Sequence, residues 1–306
     1  MGEMQETLEV RITKRDIAIF QLISKLKMLT VNQIAALFFV KPPRERWDMS
    51  KARSAAGKRI SMLQRGEYLM SGYVPGTPGK KCYILGPEAV KLLKEDEELG
   101  ALEDPRYFER KHTYAVYNSL HDLPCNSFVI NLMLLSETRD DFYLDEVLGE
   151  KDCSFMIEGG KGTYNFKPDF YVQAGAGGMR RACFFEYDTG SVSAKKLQRK
   201  VYLHVRFIHE GMSEFLGLKY QPVMCFLVPD EKRVKFVGHQ IRLIKSEYKG
   251  TYAKRLQGFP YFIAISKDMG IDALEEGRLT ENPLHNKYWY DEDGDRFHSP
   301  FRDGGK

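Results

Sequence analysis

The sequence predicts two domains of α/β and α+β class: a small helical domain closed by a β-hairpin, then a larger domain built on a mixed sheet covered by helices. Three observations predict it. The 306 residues are more than one core usually organises. The first ninety or so read as three short helices followed by two β-like runs around a Gly/Pro turn. Beyond an acidic, polar stretch the order becomes helix, three strands, helix, strand, helix, strand.

In the first domain, residues 15–27 place Ile17, Phe20, Leu22, Ile23 and Leu26 at helical spacing. Thr30 then suits the N-cap of a second helix with Ile34, Leu37 and Phe38 inside. Pro42 and Pro43 mark its exit. A third helix is predicted over 50–65, with Ala52, Ala56, Ile60 and Leu63 inward and Gly66 at its end. The runs YLMSGYV and KCYIL, joined by PGTPGK, form a hairpin with basic residues at its tip. Residues 86–94 (GPEAVKLLK) read as a closing helix. The acidic run KEDEELGALEDP sets the expected boundary, giving domains of 1–104 and 105–306.

Charge bears on the role of this first domain. The net charge is only +4, but residues 41–81 hold ten basic residues against three acids. That segment carries +7, so the remainder sums to −3. Charge concentrated in this way implies a polyanionic partner. Three helices and a basic hairpin follow the plan of a winged helix-turn-helix, whose third helix enters the major groove of duplex DNA. The candidate DNA contacts are Lys51, Arg53, Ser54, Lys58, Arg59 and Gln64 on that helix, with Lys80 and Lys81 on the wing. Binding of this kind needs no cofactor. A winged helix used as a protein-interaction module is the alternative.

In the second domain, residues 107–136 read as helical with a break near Leu123–Pro124. Strands are expected at 141–147, 163–173 and 181–188, a helix at 193–209 with Leu197, Val201, Val205 and Ile208 in phase, and a strand at 221–229. A helix over 230–247 aligns Val234, Val237, Ile241 and Ile244, and a last strand covers 259–266. The tail from about Glu281 is left either docked or loose.

Several classes are excluded. Hydrophobic residues at 43% and charged residues at 29% are a globular balance rather than a disordered one. There is no run of eighteen apolar residues and no basic-then-apolar leader at the start, so a cytoplasmic protein with no membrane span is expected. The five cysteines (Cys82, Cys125, Cys153, Cys183 and Cys225) are scattered without a CxxC pair, which argues against a zinc ribbon or a disulfide framework. His204 and His209 stand five apart, the wrong spacing for a helical metal pair, and read with His112 and His121 as packing or surface residues. GAGG at 175–178 joins two strands and opens no helix, so it is a turn rather than a phosphate loop. Tyr252, Phe259, Tyr261 and Phe262 read as core.

The order of elements in the second domain is that of the restriction-endonuclease-like core. Pro168-Asp169 in KPDFY, followed by Glu186-Tyr187-Asp188 in FFEYD, is similar to the PD-(D/E)xK nuclease signature. With the turn centred near Gly177–Gly178, Asp169 falls opposite Glu186, and alternation puts Glu186 and Asp188 on one face. The resemblance makes Asp169, Glu186 and Asp188 candidate ligands for Mg²⁺ and candidate catalytic residues. The signature's lysine, two residues after Glu186, is replaced by Asp188. Lys195, Lys196, Arg199 and Lys200 on the following helix could supply it, and Lys196 is the candidate.

The whole layout resembles the replication-relaxation family of plasmids and integrative elements. The residues that carry this are Pro168, Asp169, Glu186, Asp188, Thr189, Gly190, Lys196, Leu197 and Tyr202. The resemblance implies a double-stranded-DNA-binding accessory in plasmid or conjugative-element replication, with a relaxase or replication protein as partner. Two alternatives stand beside it: a Mg²⁺-dependent endonuclease targeted by the winged helix, and a transcription regulator whose second domain dimerises or binds a partner.

Overall fold

Two threonines open the first two helices in the same way. Thr13 caps α1 (Lys14–Leu26) and Thr30 caps α2 (Val31–Phe38), and in each case the third helical residue, Asp16 or Gln33, reaches back to the cap N–H. The computed structural model describes residues 10–40, 48–95, 118–159, 162–176, 179–209, 222–247, 261–297 and 299–301. Between these helices lies β1 (Leu29–Thr30), followed after α2 by α3 (Met49–Arg65), β2 (Leu69–Tyr73), β3 (Lys81–Leu85) and α4 (Pro87–Glu95).

The inner stripe of α3 is Met49, Ala52, Ala56, Ile60 and Leu63, the helical spacing expected from the sequence. β2 and β3 form an antiparallel hairpin from Leu69↔Leu85 to Tyr73↔Lys81, and β1 joins β3 through Leu29↔Tyr83, giving the order β1-β3-β2. Three helices with a three-stranded sheet and a hairpin wing are compatible with a winged helix-turn-helix.

The chain divides into two compact units. The first is Met1–Ile130 with Asp272–Arg278, and the second is Asn131–Ile271 with Leu279–Lys306. The expected boundary between residues 104 and 105 lies outside the described residues, as do residues 107–117. The observed division falls inside α5 (Ser119–Thr138). That helix corrects one expectation, because it runs unbroken through Pro124. An interior proline costs about 3 kcal/mol. Buried polar ties compensate: the Asn126 amide donates to the carbonyls of Leu26 (2.9 Å) and Met28 (2.7 Å), and the Gln33 amide donates to the Leu123 carbonyl (3.1 Å) and Ser127 Oγ (2.9 Å).

The second unit is built on a seven-stranded mixed sheet. Its strands are β4 (Phe142–Gly149), β7 (Phe170–Ala176), β8 (Met179–Tyr187), β9 (Val223–Val228), β10 (Tyr261–Ile265), β11 (Trp289–Tyr290) and β12 (Arg296–Phe297), in the order β12-β11-β10-β9-β8-β7-β4. β4, β7 and β8 form an antiparallel meander, and β8, β9 and β10 run parallel. The parallel strands need crossovers, supplied by α6 (Ala194–His209) between β8 and β9 and by α7 (Glu231–Glu247) between β9 and β10. Leu197, Val201 and Val205 of α6 and Val234, Val237, Ile241 and Ile244 of α7 pack with Met224, Phe226, Val228, Tyr261 and Ile263 of the sheet.

Two expectations need correction here. The single strand expected over 163–173 is two: β6 (Gly162–Phe166) and β7 are separated at Lys167–Asp169, because Pro168 has no N–H to give a ladder. β6 pairs instead with β5 (Phe155–Gly159), a strand the sequence reading missed, in a separate two-stranded sheet. The tail is docked. β11 extends the sheet from β10, and Trp289 is fully buried with its indole N–H donating to the Pro283 carbonyl (3.0 Å). All five cysteines are buried thiols outside any disulfide. No helix among the described residues is long and apolar enough to cross a membrane.

His204 of α6 is a core histidine. Its Nε2 faces the Pro222 carbonyl at 3.2 Å and its Nδ1 faces the Tyr261 hydroxyl at 3.5 Å. Burial pushes its pKa from 6.5 down to about 4. The unfolded chain therefore takes up a proton between pH 6.5 and pH 4 that the native state refuses, so this contribution is complete above pH 6.5 and is lost as pH falls. His204→Gln should lose about 3 kcal/mol less stability than the native chain over that interval in urea titrations. Parallel losses in the two proteins would place the imidazole in a solvated site.

Candidate nucleic-acid interface and carboxylate cluster

α3 presents two kinds of basic residue, and the structure separates them. Lys51, Ser54, Lys58, Ser61 and Arg65 are exposed and follow the i, i+3, i+7 spacing opposite the buried stripe. Lys51 pairs with Asp48 at 3.0 Å, with its side chain 89% exposed. Arg53 is also exposed and donates to the Glu275 carbonyl at 3.4 Å.

Arg59 is not on that face. Its Nε and terminal nitrogen bind the two Asp16 carboxylate oxygens at 2.9 and 2.6 Å, and it also donates to the Arg11 carbonyl at 2.8 Å. Burial works to raise the Asp16 carboxyl, but hydrogen bonds from Arg59 and Thr13 outweigh it and hold the group below the usual range. Arg59 thus ties α3 to the start of α1. Gln64 is likewise engaged, donating to Ser71 Oγ at 3.0 Å. On the wing, Lys81 lies over the exposed Tyr73 ring at 5.2 Å, and Lys80 faces Glu275 at 3.5 Å. The basic residues Lys41, Arg44 and Arg46 lie outside the described residues.

In the second unit, the register across β7 and β8 is Phe170↔Phe185. Asp169 and Glu186 therefore stand opposite, as the turn position implied. The Asp169 N–H donates to the Phe185 carbonyl (3.0 Å), and Asp169 Oδ2 accepts from the Tyr187 N–H at 2.7 Å. Glu186 is 2% exposed, and its Oε1 makes no hydrogen bond among the described residues. Burial drives the Glu186 carboxyl well above its usual range and the Asp169 charge adds to this, while Lys200 opposes both.

The cation at this site is Lys200, which pairs with Glu186 Oε2. Lys196, one turn earlier on α6, is exposed. Burial works against the Lys200 charge, yet the Glu186 and Asp169 carboxylates outweigh it and hold the ammonium protonated. Asp188 has hydrogen-bonding partners of its own. Its Oδ1 accepts from the Gly190 N–H at 2.8 Å, where Gly190 takes φ +90 to close the turn. Its Oδ2 binds Arg233 Nε of α7 at 2.5 Å, and Arg233 also donates to the Val192 carbonyl. Both Asp188 oxygens are thus engaged, one closing the turn and the other paired with Arg233.

Asp169 and Glu186 keep a chemistry that fits a divalent cation: two carboxyl groups on neighbouring strands and one buried oxygen without a donor. Sequence reasoning missed Asp16, Arg233 and Glu275 as the partners of basic and acidic candidates. Only the first left a signal, since Thr13 and Asp16 have capping-box spacing ahead of an apolar run.

The family model for replication-relaxation proteins matches residues 20–215. No curated protein matches the sequence. Among solved structures the chain is similar to the restriction endonuclease FokI, at 12% identity over 92% of this chain and 49% of that chain, with a TM-score of 0.27. The chain therefore spans about half the length of that enzyme.

The Lys200–Glu186 pair gives a pH signature. In Lys200→Met, Glu186 loses its counter-charge and folds as the neutral acid. A carboxyl whose folded pKa is raised loses stability as pH climbs above its unfolded value, near 4.5. Lys200→Met should therefore lose stability progressively as pH rises above about 5 in urea titrations, more steeply than the native chain. Adding Glu186→Gln should flatten the profile again. A flat profile in the single variant would mean that Glu186 is solvated.

Proposed function

The chain belongs to the replication-relaxation family, and from that premise we propose that it is a double-stranded-DNA-binding accessory protein of plasmid or conjugative-element replication, assisting a relaxase or replication initiator. One observation carries the DNA reading: the exposed stripe Lys51–Ser54–Lys58 on α3, held outward by the apolar stripe behind it. A helix of about this length fits the major groove, with lysines meeting phosphates and Ser54 within reach of base edges. Lys81 on the wing lies beside it in the reading of a winged helix. In this reading the second unit serves as a scaffold for DNA or for the partner protein.

A second reading, a Mg²⁺-dependent endonuclease, is favoured by the orphaned Glu186 oxygen beside Asp169. A bound Mg²⁺ there would supply a polarised water and offset charge on a phosphate. Asp169 and Glu186 would hold it, and Lys200 would stay protonated beside them as a counter-charge.

Lys51→Ala with Lys58→Ala should weaken duplex binding and lower the slope of log affinity against log salt by about 2, since each phosphate contact contributes roughly 0.9. Fluorescence anisotropy on a labelled duplex across a salt series checks this. Unchanged affinity and slope would remove α3 from the interface. Supercoiled plasmid on an agarose gel separates the two readings: retarded, intact plasmid supports the accessory role, whereas nicking that needs both metal and Asp169 makes the protein a nuclease.

A further inference from the structure

An acid from far along the chain sits among the donors of the first unit. Glu275, in the Asp272–Arg278 segment that belongs to this unit, accepts from Thr30 Oγ1 at 2.9 Å and from Asn32 Nδ2 at 2.7 Å. Its carboxylate faces Lys80 Nζ at 3.5 Å. Its backbone carbonyl accepts from Asn32 Nδ2 at 3.3 Å and from the Arg53 guanidinium at 3.4 Å. Ala273 and Leu274 beside it are buried, and Gly277, at φ +75, brings the backbone to where a Cβ would stand 3.1 Å from Met49 Cβ.

These donors come from three elements. Thr30 caps α2 and Asn32 lies in its first turn, at the positive end of the helix dipole. Arg53 lies in the first turns of α3, and Lys80 stands at the tip end of the wing, just before β3. A hydroxyl, an amide and an ammonium converge on one carboxylate, with a guanidinium on the carbonyl of the same residue, and such a set of donors suits phosphodiester oxygens equally well. The start of the second helix, the start of the third and the wing are also the parts a winged helix turns toward a duplex. The Glu275 side chain keeps 23% of its surface in solvent. A polyanion can therefore compete for the contact without unfolding the unit.

We propose that Glu275 is an internal stand-in for a DNA backbone phosphate, and that the 272–278 segment yields Thr30, Asn32, Arg53 and Lys80 to the duplex when DNA binds. The proposal rests on the DNA-binding reading above. It adds Thr30 and Asn32 to the interface and makes the segment a gate on affinity. Removing the Glu275 charge then exposes one more phosphate contact, and Lys80 becomes worth more once its internal partner is gone.

The test is Glu275→Gln in the full chain, measured by duplex anisotropy across a salt series beside Lys80→Ala, the double variant and Lys51→Ala/Lys58→Ala. Glu275→Gln should bind about fivefold tighter or more, a typical size for coupled sites. Its salt slope should steepen by about 1. Lys80→Ala should cost more in the Glu275→Gln background than alone. If Glu275→Gln binds no tighter while Lys51→Ala/Lys58→Ala still weakens binding, the gate is overturned and the DNA reading survives. If the native chain and Glu275→Gln both fail to bind duplex at about 50 mM salt, the DNA reading falls and takes the gate with it. Hydrogen exchange on the unaltered protein gives a second measure that needs no variant. Residues 272–278 should exchange faster with duplex bound, and unchanged or slower exchange overturns the proposal.

Discussion

Two carboxylates buried at the end of β8 set the terms for the large unit. Glu186 and Asp188 are 2% and 3% exposed, and neither charge survives there alone. Each is answered from a different crossover helix, Glu186 by Lys200 of α6 and Asp188 by Arg233 of α7. The apolar faces of the two helices supply most of the packing energy, but apolar contact is non-directional and tolerates sliding. A buried ion pair does not, since breaking one typically costs 3–5 kcal/mol. The two pairs therefore fix where along β8 and β9 each helix sits. The Gln198–Gln240 amide contact at 2.7 Å ties the helices to each other.

The small unit repeats the device at lower cost. Asp16 is fully buried and closes a capping box, which leaves its second charge-assisted bond to Arg59. One acid thereby holds the N-terminus of α1 and the middle of α3. Lys58 and Arg59 are neighbours in sequence, yet a turn of 100° sends one to solvent and the other to the interior. A basic helix is consequently not a uniform interface. Its positive charge divides into residues spent on the fold and residues left for a partner.

That division explains what the sequence could and could not tell. The helices were legible because Ala52, Ala56, Ile60 and Leu63, or Val234, Val237, Ile241 and Ile244, repeat at helical spacing. The β7–β8 register followed from centring the turn near Gly177–Gly178, one of several registers a glycine-rich turn allows, and the strands do set Asp169 against Glu186. Charged partners were not legible. Nothing local distinguishes Lys196 from Lys200, one turn apart on α6, and only packing on the sheet puts the second over Glu186. The partners of Arg59 and Asp188 were hidden for the same reason, since residue type and spacing say nothing of a partner 43 or 45 residues away. Pro124 misled for a related reason, since the tertiary bonds that carry α5 through it come from α2 and the α1–β1 turn.

The two carboxylates of the large unit differ in what is left on them. Asp188 is held on both oxygens, by the Gly190 N–H and by Arg233. Glu186 takes its cation from α6 instead, where Lys200 occupies Oε2 and leaves Oε1 without a donor among the described residues. A carboxylate buried alone would not keep its charge, so the protonation of Glu186 is tied to the placement of α6 and its lysine.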